Sequence, residues 1–454
     1  MTVFAQLTMV SALDRLAMRR VCMRFDRLAL NIVLPVIIRF GTATLSFALT
    51  SLLTSHLGAD RYGMWVVILS VATFATLIDL GSGSAAVTQI SASLARDDAR
   101  QAREIIASLY VIILVAGVVF SCALAISSAV VSWPKVFDPR GVLPVREFDN
   151  ATHVAVAFVI ASVWVGIVQR FLVAQQKSYV SSVWQLLASA ASILGVMAAT
   201  MCGAGFGEMI VAYYVPAILV GVVCTIRFLA EQNRIFLPQP GDVSPEGTAR
   251  LLRAGLPSLL LRMVGIATAV LDPLAIAYFL DAATVAKYTV ADRMFSVVTL
   301  LGGIMLAPLW PAYSDALAQG KTQFIRRAFG GSLLWSAVSS AALAAMIFWH
   351  ADRILAVWVP SVSAPDVLVL AGLSIQKVLE SIGIVFSMFL TGVSAMRIQV
   401  LTAGIFLTFS ATLKPLLMYY SGLGGAVWCN VLVQLLCVSY LFIYSSARLS
   451  SLQK

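Results

Sequence analysis

The sequence predicts an all-α integral membrane protein. It reads as about twelve transmembrane helices in two six-helix lobes, related by a pseudo-two-fold along the membrane normal. Three observations lead there. Hydrophobic residues make up 60% of the 454 residues and charged ones only 11%, which leaves little surface for water. The apolar stretches have the roughly 20 residues needed to cross a hydrocarbon core about 30 Å thick. The two halves of the chain also match at equivalent points. Helices are expected because each satisfies its own backbone in lipid. A barrel would need alternating strands of roughly ten residues, and these runs are longer and more uniformly apolar.

Residues 1–31 form a basic segment with Arg15, Arg19, Arg20, Arg24 and Arg27. The apolar run that follows is too long for a signal-peptide core. Leu13, Ala17, Val21, Phe25 and Leu28 share one helical face, so residues 11–29 read either as an interfacial helix or as a basic tail. The N-lobe, 32–230, holds spans at 32–56, 63–82, 105–130, 152–175, 179–201 and 208–230. A linker rich in Pro and Gly follows at 231–254, as suits a loop. The C-lobe, 255–446, holds spans at 255–279, 284–309, 328–349, 366–392, 398–419 and 423–446, before a tail at 447–454.

The repeat is visible at the start of each lobe. Span 1 opens Leu34-Pro35 with Arg39 soon after, and span 7 opens Leu256-Pro257 with Arg262 soon after. Two such halves have one orientation in the membrane, and transporters commonly place their substrate between repeats.

The net charge of +10 is a topology signal here and does not imply nucleic acid. Lys and Arg concentrate in alternate loops: Arg96, Arg100 and Arg103; Arg227, Arg234 and Arg250; Lys321, Arg326 and Arg327. The positive-inside rule puts these loops and both termini in the cytoplasm. The loop with Lys135, Arg140 and Arg146 runs against the trend, though Asp138, Glu147 and Asp149 accompany it.

Enzymatic chemistry finds no support. No Gly-rich phosphate loop, HExxH or GxSxG is present. The six cysteines lack zinc spacing, and Cys122, Cys224, Cys429 and Cys437 fall in spans, where packing is the expected role. No disulfide framework, metal or cofactor is expected. His56, His153 and His350 lie at span ends, away from any buried proton relay. Trp65, Trp133, Trp310 and Trp358 lie at span edges, as in interfacial belts.

Residues 57–96, LGADRYGMWVVILSVATFATLIDLGSGSAAVTQISASLAR, resemble the polysaccharide-biosynthesis flippases. The Leu-Gly…Tyr-Gly exit from span 1 and the Asp79-Leu80-Gly81 end of span 2 carry the likeness. In the second half, KYTVADRMFSVVTLLGGIMLAPLWPAYSDAL (287–317) is similar to the matching family segment, with Pro311 before the inner loop. The family shares a superfamily with multidrug-and-toxin exporters and lipid II flippases. The resemblance implies a two-lobed bundle working by alternating access in the bacterial inner membrane. It implies a polyprenyl-diphosphate-linked glycan as substrate, moved to the outer leaflet for exopolysaccharide or O-antigen assembly. A polysaccharide polymerase and glycosyltransferases would then be partners, alongside membrane lipids. The alternatives are an organic-cation exporter of the same superfamily and a nontransporting scaffold of a glycan-assembly complex.

Ionisable residues inside a bilayer are costly and usually face a cavity or a partner. Arg39 and Arg262 each lie roughly 10 Å from the cytoplasmic end of their span at 1.5 Å per residue. If spans 1 and 7 face one cleft, both guanidiniums can grip a diphosphate through paired donors. Asp79 can instead neutralise Arg39, and Arg262 can snorkel to the interface. Asp272 precedes Pro273, which should kink span 7. It reads as a hinge or ion site, or as a partner of Lys287 or Arg293 on span 8, which also carries Asp292. Lys377 and Glu380 share one face of span 10, as an internal ion pair or as a proton-coupling carboxylate beside a substrate-binding Lys. Coupling to H+, Na+ or the membrane potential is left open by these residues.

Overall fold

A computed structural model describes the backbone of residues 2–231, 236–237, 239–306, 309–393 and 395–451. Side chains are described from 34 onward, apart from those of Pro240, Ile304, Pro311, Met396 and Ser451. The N-terminal apolar face, Arg234 and the Pro311 side chain lie outside what is described.

Among the described residues the chain is helical, and nine stretches are long and apolar enough to cross a membrane. Two of these are too long for a single crossing. Leu34–Ala95 would extend roughly 93 Å as one helix, and Gly58 (φ 74°, ψ 175°) divides it into spans 1 and 2. Arg397–Ser450 is divided at Gly422. There the chain doubles back, because a Cβ on Gly425 would lie 2.0 Å from the carbonyl oxygen of Leu417. With span 8, built from Ala282–Leu306 and Leu309–Ala318, these make the twelve spans of a multi-pass membrane protein. The others are Ala99–Val130, the paired helices Val145–Val165 and Ile167–Ala174, Ser178–Met201, Phe206–Glu231, Pro245–Phe279, Thr322–Trp358 and Val367–Gly392 (spans 3, 4, 5, 6, 7, 9 and 10).

Several helices run beyond their apolar segments. Span 7 starts at Pro245, with Ser244 accepting a hydrogen bond from the Gly247 N–H as its N-cap. Proline at the first helical position costs nothing, because that N–H has no helical acceptor. The sequence placed this turn in the linker. Apolarity marks where a helix meets lipid, whereas capping marks where it ends.

The packing differs between the two ends. The end bearing residues 239–244 is the linker end, and the opposite end carries Gly58 and Gly422. At that far end one core joins both lobes, with Tyr62, Phe148 and Phe206 from the N-lobe and Phe295, Ala344 and Leu370 from the C-lobe. Toward the linker end the core splits. Ile105, Phe171 and Phe228 pack within the N-lobe, and Tyr313, Phe329 and Phe386 within the C-lobe. The lobes are therefore fused at one end and joined more sparsely at the other, where the start of span 7 packs on span 3 through Leu251 and a Thr248–Ser108 hydrogen bond and makes a close contact with span 2.

Candidate functional site

That contact is built around a broken helix. Span 2 tightens into a 3-10 turn at Phe74–Asp79. Leu80 (φ 49°) and Gly81 (φ 72°) then take left-handed conformations before Ser82–Ala95 resumes the helix. The break lets span 2 touch span 7 directly. A Cβ on Gly81 would lie 2.3 Å from the Gly255 carbonyl oxygen, and one on Gly255 would lie 2.7 Å from the Gly81 carbonyl carbon. Both opposing groups are backbone, so only glycine fits on either side.

The break also aims Asp79 inward. Its residue is 1% exposed. One oxygen, Oδ2, accepts from Arg262 Nη1 at 2.6 Å and from Arg170 Nη2 at 2.8 Å. The other accepts from the Gly81 N–H at 3.1 Å. Arg170 comes from span 4 and Arg262 from span 7, so the cluster ties the lobes together. Two guanidiniums and one carboxylate sum to +1. Arg262 keeps 40% of its side chain exposed. Arg170 Nη1 is buried without a hydrogen-bond partner. A Cβ on Gly83 would lie 1.4 Å from that atom, so this glycine makes the room for it. Arg170 also lines an N-lobe cavity of about 500 Å³ with Thr76, Gln169, Ser181 and Gln185. The cluster thus carries net positive charge beside a cavity, with Arg262 still partly exposed, which suits an oxyanion.

Asp79 binds Arg262 and Arg170, not Arg39. Arg39 is exposed and makes no ion pair among the described residues; it lines a separate cavity of about 430 Å³ between spans 1, 8 and 10, with Phe47, Ser296, Leu300 and Ile384. The two arginines singled out by the repeat therefore line different surfaces. Arg170 does not stand out in the sequence, because nothing in a lone Arg near a span end distinguishes it from an interfacial anchor.

The C-lobe carries two further clusters. Asp272 pairs with Lys414 of span 11 and accepts from Tyr288 Oη at 2.5 Å and Asn430 Nδ2 at 2.6 Å. Its expected partners lie elsewhere. Lys287 is half-buried without an ion pair among the described residues. Arg293 donates to the Thr50 hydroxyl and to the Ser46 carbonyl at 3.4 Å, crossing to span 1. In the second cluster Lys377 bridges Asp292 at 2.8 Å and Glu380 at 3.0 Å. The expected Lys377–Glu380 pair is present, with Asp292 as a second acid. That triad carries −1 when both acids are ionised. Asp272 and Glu380 also face a C-lobe cavity of about 480 Å³ with Gln376, Gln399, Asn430 and Gln434. No group of three or more potential metal ligands occurs among the described residues.

Comparison with known proteins agrees with this architecture. An inward-facing multidrug resistance MATE family transporter of the MOP superfamily superposes with a TM-score of 0.78 at 16% identity, covering 92% of this chain and 99% of that one. Its outward-facing form gives 0.65 at 18% identity, over 94% and 96%. The lipid II flippase MurJ, in an inward closed conformation, gives 0.68 at 12% identity, over 91% and 87%. At these identities the likeness is one of fold. No curated protein matches in sequence. A family model described as polysaccharide biosynthesis protein matches residues 28–316. That stretch covers well over half of the chain, from span 1 to the end of span 8, and the chain therefore belongs to the polysaccharide biosynthesis protein family.

Proposed function

We propose that this protein is a flippase that moves a polyprenyl-diphosphate-linked oligosaccharide from the inner to the outer leaflet of the bacterial inner membrane, for exopolysaccharide or O-antigen assembly. One observation carries the reading: two arginines from opposite lobes share one buried carboxylate, which leaves a net charge of +1, and Arg262 stays 40% exposed. A diphosphate brings about two negative charges into a poorly solvated space, and burying unpaired charge there is prohibitive. The cluster supplies the compensating charge. Arg262 and Arg170 hold the diphosphate, and Arg39 lines the approach between spans 1 and 8. The linker end, with its Arg-rich loops, is assigned to the cytoplasm along with both termini. The lobes are more sparsely joined at that end, where a substrate made in the cytoplasm arrives. Alternating access then requires the fused core at the far end to part while the linker end closes. The Asp292–Lys377–Glu380 triad is the candidate for proton coupling, since one proton would neutralise it. Glycosyltransferases supply the substrate and a polymerase consumes it.

An organic-cation exporter should present carboxylates at the contact between the lobes, whereas here Asp79 is buried and Arg262, 40% exposed, is the charge presented there. A scaffold gains nothing from buried charge. Deletion of the protein, followed by assay of which leaflet holds the lipid-linked glycan, tests the reading. Accumulation in the inner leaflet is expected, with restoration by the unaltered chain and no restoration by the Arg170→Ala, Arg262→Ala double variant. An unchanged leaflet distribution in the deletion strain would sink it.

A further inference from the structure

The 3-10 break in span 2 turns two kinds of side chain in opposite directions. Asp79 faces the arginines. Its neighbours Ile78 and Leu80 face away, into a groove of about 830 Å³ between spans 2 and 3 and the linker end of span 7. Val115, Val119 and Phe120 of span 3 and Leu252 of span 7 line the same groove. Its polar lining residue is Thr248, whose hydroxyl is already bonded to the Ser244 carbonyl at 2.9 Å. From Val111 to Ala123 the trough runs roughly 18 Å along span 3 at 1.5 Å per residue. Both lobes contribute, and the Asp79–Arg262 pair with the Gly81–Gly255 contact forms the seam between groove and cluster.

We infer that this groove seats the isoprenoid chain of the lipid-linked substrate while its diphosphate occupies the arginine cluster, and that the seam between spans 2 and 7 is the lateral gate through which the two parts stay connected. The inference rests on the proposed function and adds a second subsite to it. An amphiphile with an anionic head and an apolar chain has to present both within a few ångströms, and residues 78–80 offer partners for both within one turn. A diphosphate competing with Asp79 for Arg262 would loosen the ion pair that closes the gate, so that head-group binding and chain passage become one event. Burial against protein gives a chain little advantage over bilayer, because lipid tails are equally apolar. The groove therefore acts by position and shape: it holds the chain beside the gate.

The test uses the full-length protein in phosphatidylglycerol-containing liposomes and a polyprenyl diphosphate bearing a diazirine on its chain. Photolabelling followed by peptide mapping is expected to place the label in 71–80 and 111–123. Unlabelled polyprenyl diphosphate should abolish it, and added phosphatidylglycerol should not. Label on Ala43 or Leu300, at the opposite face between spans 1 and 8, overturns the inference, as does equal competition by phosphatidylglycerol, which marks the groove as ordinary annular lipid. A groove-filling variant, Val115→Trp, lies on a face where Val115 is already 57% exposed. It is expected to slow transfer of the long-chain substrate while binding of inorganic pyrophosphate to the cluster is unchanged; unaltered transfer counts against the groove. Transport of lipid-linked glycan with an unlabelled groove removes this inference and leaves the proposed function standing. Failure of the probe to bind anywhere removes both.

Discussion

Asp79 Oδ2 takes two guanidinium donors, yet a carboxylate this well paired does not exhaust them. Each guanidinium has five N–H donors, and hydrogen bonds to charged groups contribute about 1.5–3 kcal/mol each. Arg262→Ala is therefore expected to weaken pyrophosphate binding roughly ten- to a hundredfold by that same increment. Asp79→Asn should strengthen it, since the cluster then carries +2 in place of +1. Isothermal titration of the purified protein measures both, and an Asp79→Asn variant that binds pyrophosphate more weakly would show that the carboxylate organises the site more than it competes for it. Lys414 makes the opposite case, a charge held for stability. It is 1% exposed and Asp272 8%. Removing one member of such a buried pair costs about 3–5 kcal/mol, so Lys414→Met should lower the melting temperature sharply. The Lys414→Met, Asp272→Asn double variant should recover most of the loss, and thermal unfolding in detergent decides it. The sequence made Arg262, Asp272 and Asp79 legible because a charge within an apolar run is conspicuous. Their partners were not legible: Arg170 lies 91 residues from Asp79 and Lys414 lies 142 from Asp272. Composition cannot say which of several charges meet across a bundle.

Span 7 is the element shared by two of the three clusters. It presents Gly255 and Arg262 to span 2 and Asp272 to spans 8, 11 and 12, with Pro257 and Pro273 along its length. Each proline removes one backbone hydrogen bond, so the helix is weakened where its partners change. A side chain at position 255 has only backbone to displace, at 2.7 Å. Gly255→Val is expected to push span 2 from span 7 at the linker end and leave the fused far end intact. With a cysteine at Thr248, a membrane-impermeant maleimide should label this variant faster from the linker side than it labels the unsubstituted background. Equal rates would mean that the seam is not a closed gate. The spans themselves could be read from hydropathy, and the six-plus-six division from the linker. The seam could not, because it depends on the left-handed turn at Leu80 and Gly81 inside what reads as a continuous apolar helix. The Asp-Leu-Gly sequence was visible there as a family likeness, but its geometry was not.

Under the proposed function, the whole molecule moves charge as well as lipid. A diphosphate carries about two negative charges outward, and each charge crossing 100 mV contributes about 2.3 kcal/mol. An interior-negative membrane thus favours export by roughly 4.6 kcal/mol at that potential, about three decades in leaflet ratio at 1.4 kcal/mol per decade. The Asp292–Lys377–Glu380 triad, proposed for proton coupling, would add a separable contribution. With two acids and one base it is −1 when empty and neutral with one proton, and Tyr288 and Asp272 adjoin it in the same lobe. A proton carried inward on the return step moves positive charge toward the negative side, so potential and proton gradient act in the same direction. The two can be set independently in liposomes, by a potassium diffusion potential at equal pH and by a pH step at zero potential. Glu380→Gln leaves one acid and one base, neutral without a proton. That variant is expected to lose the acceleration by the pH step and keep the acceleration by the potential. If Glu380→Gln responds to the pH step as the unsubstituted chain does, the triad is a structural ion cluster and the potential alone drives the cycle.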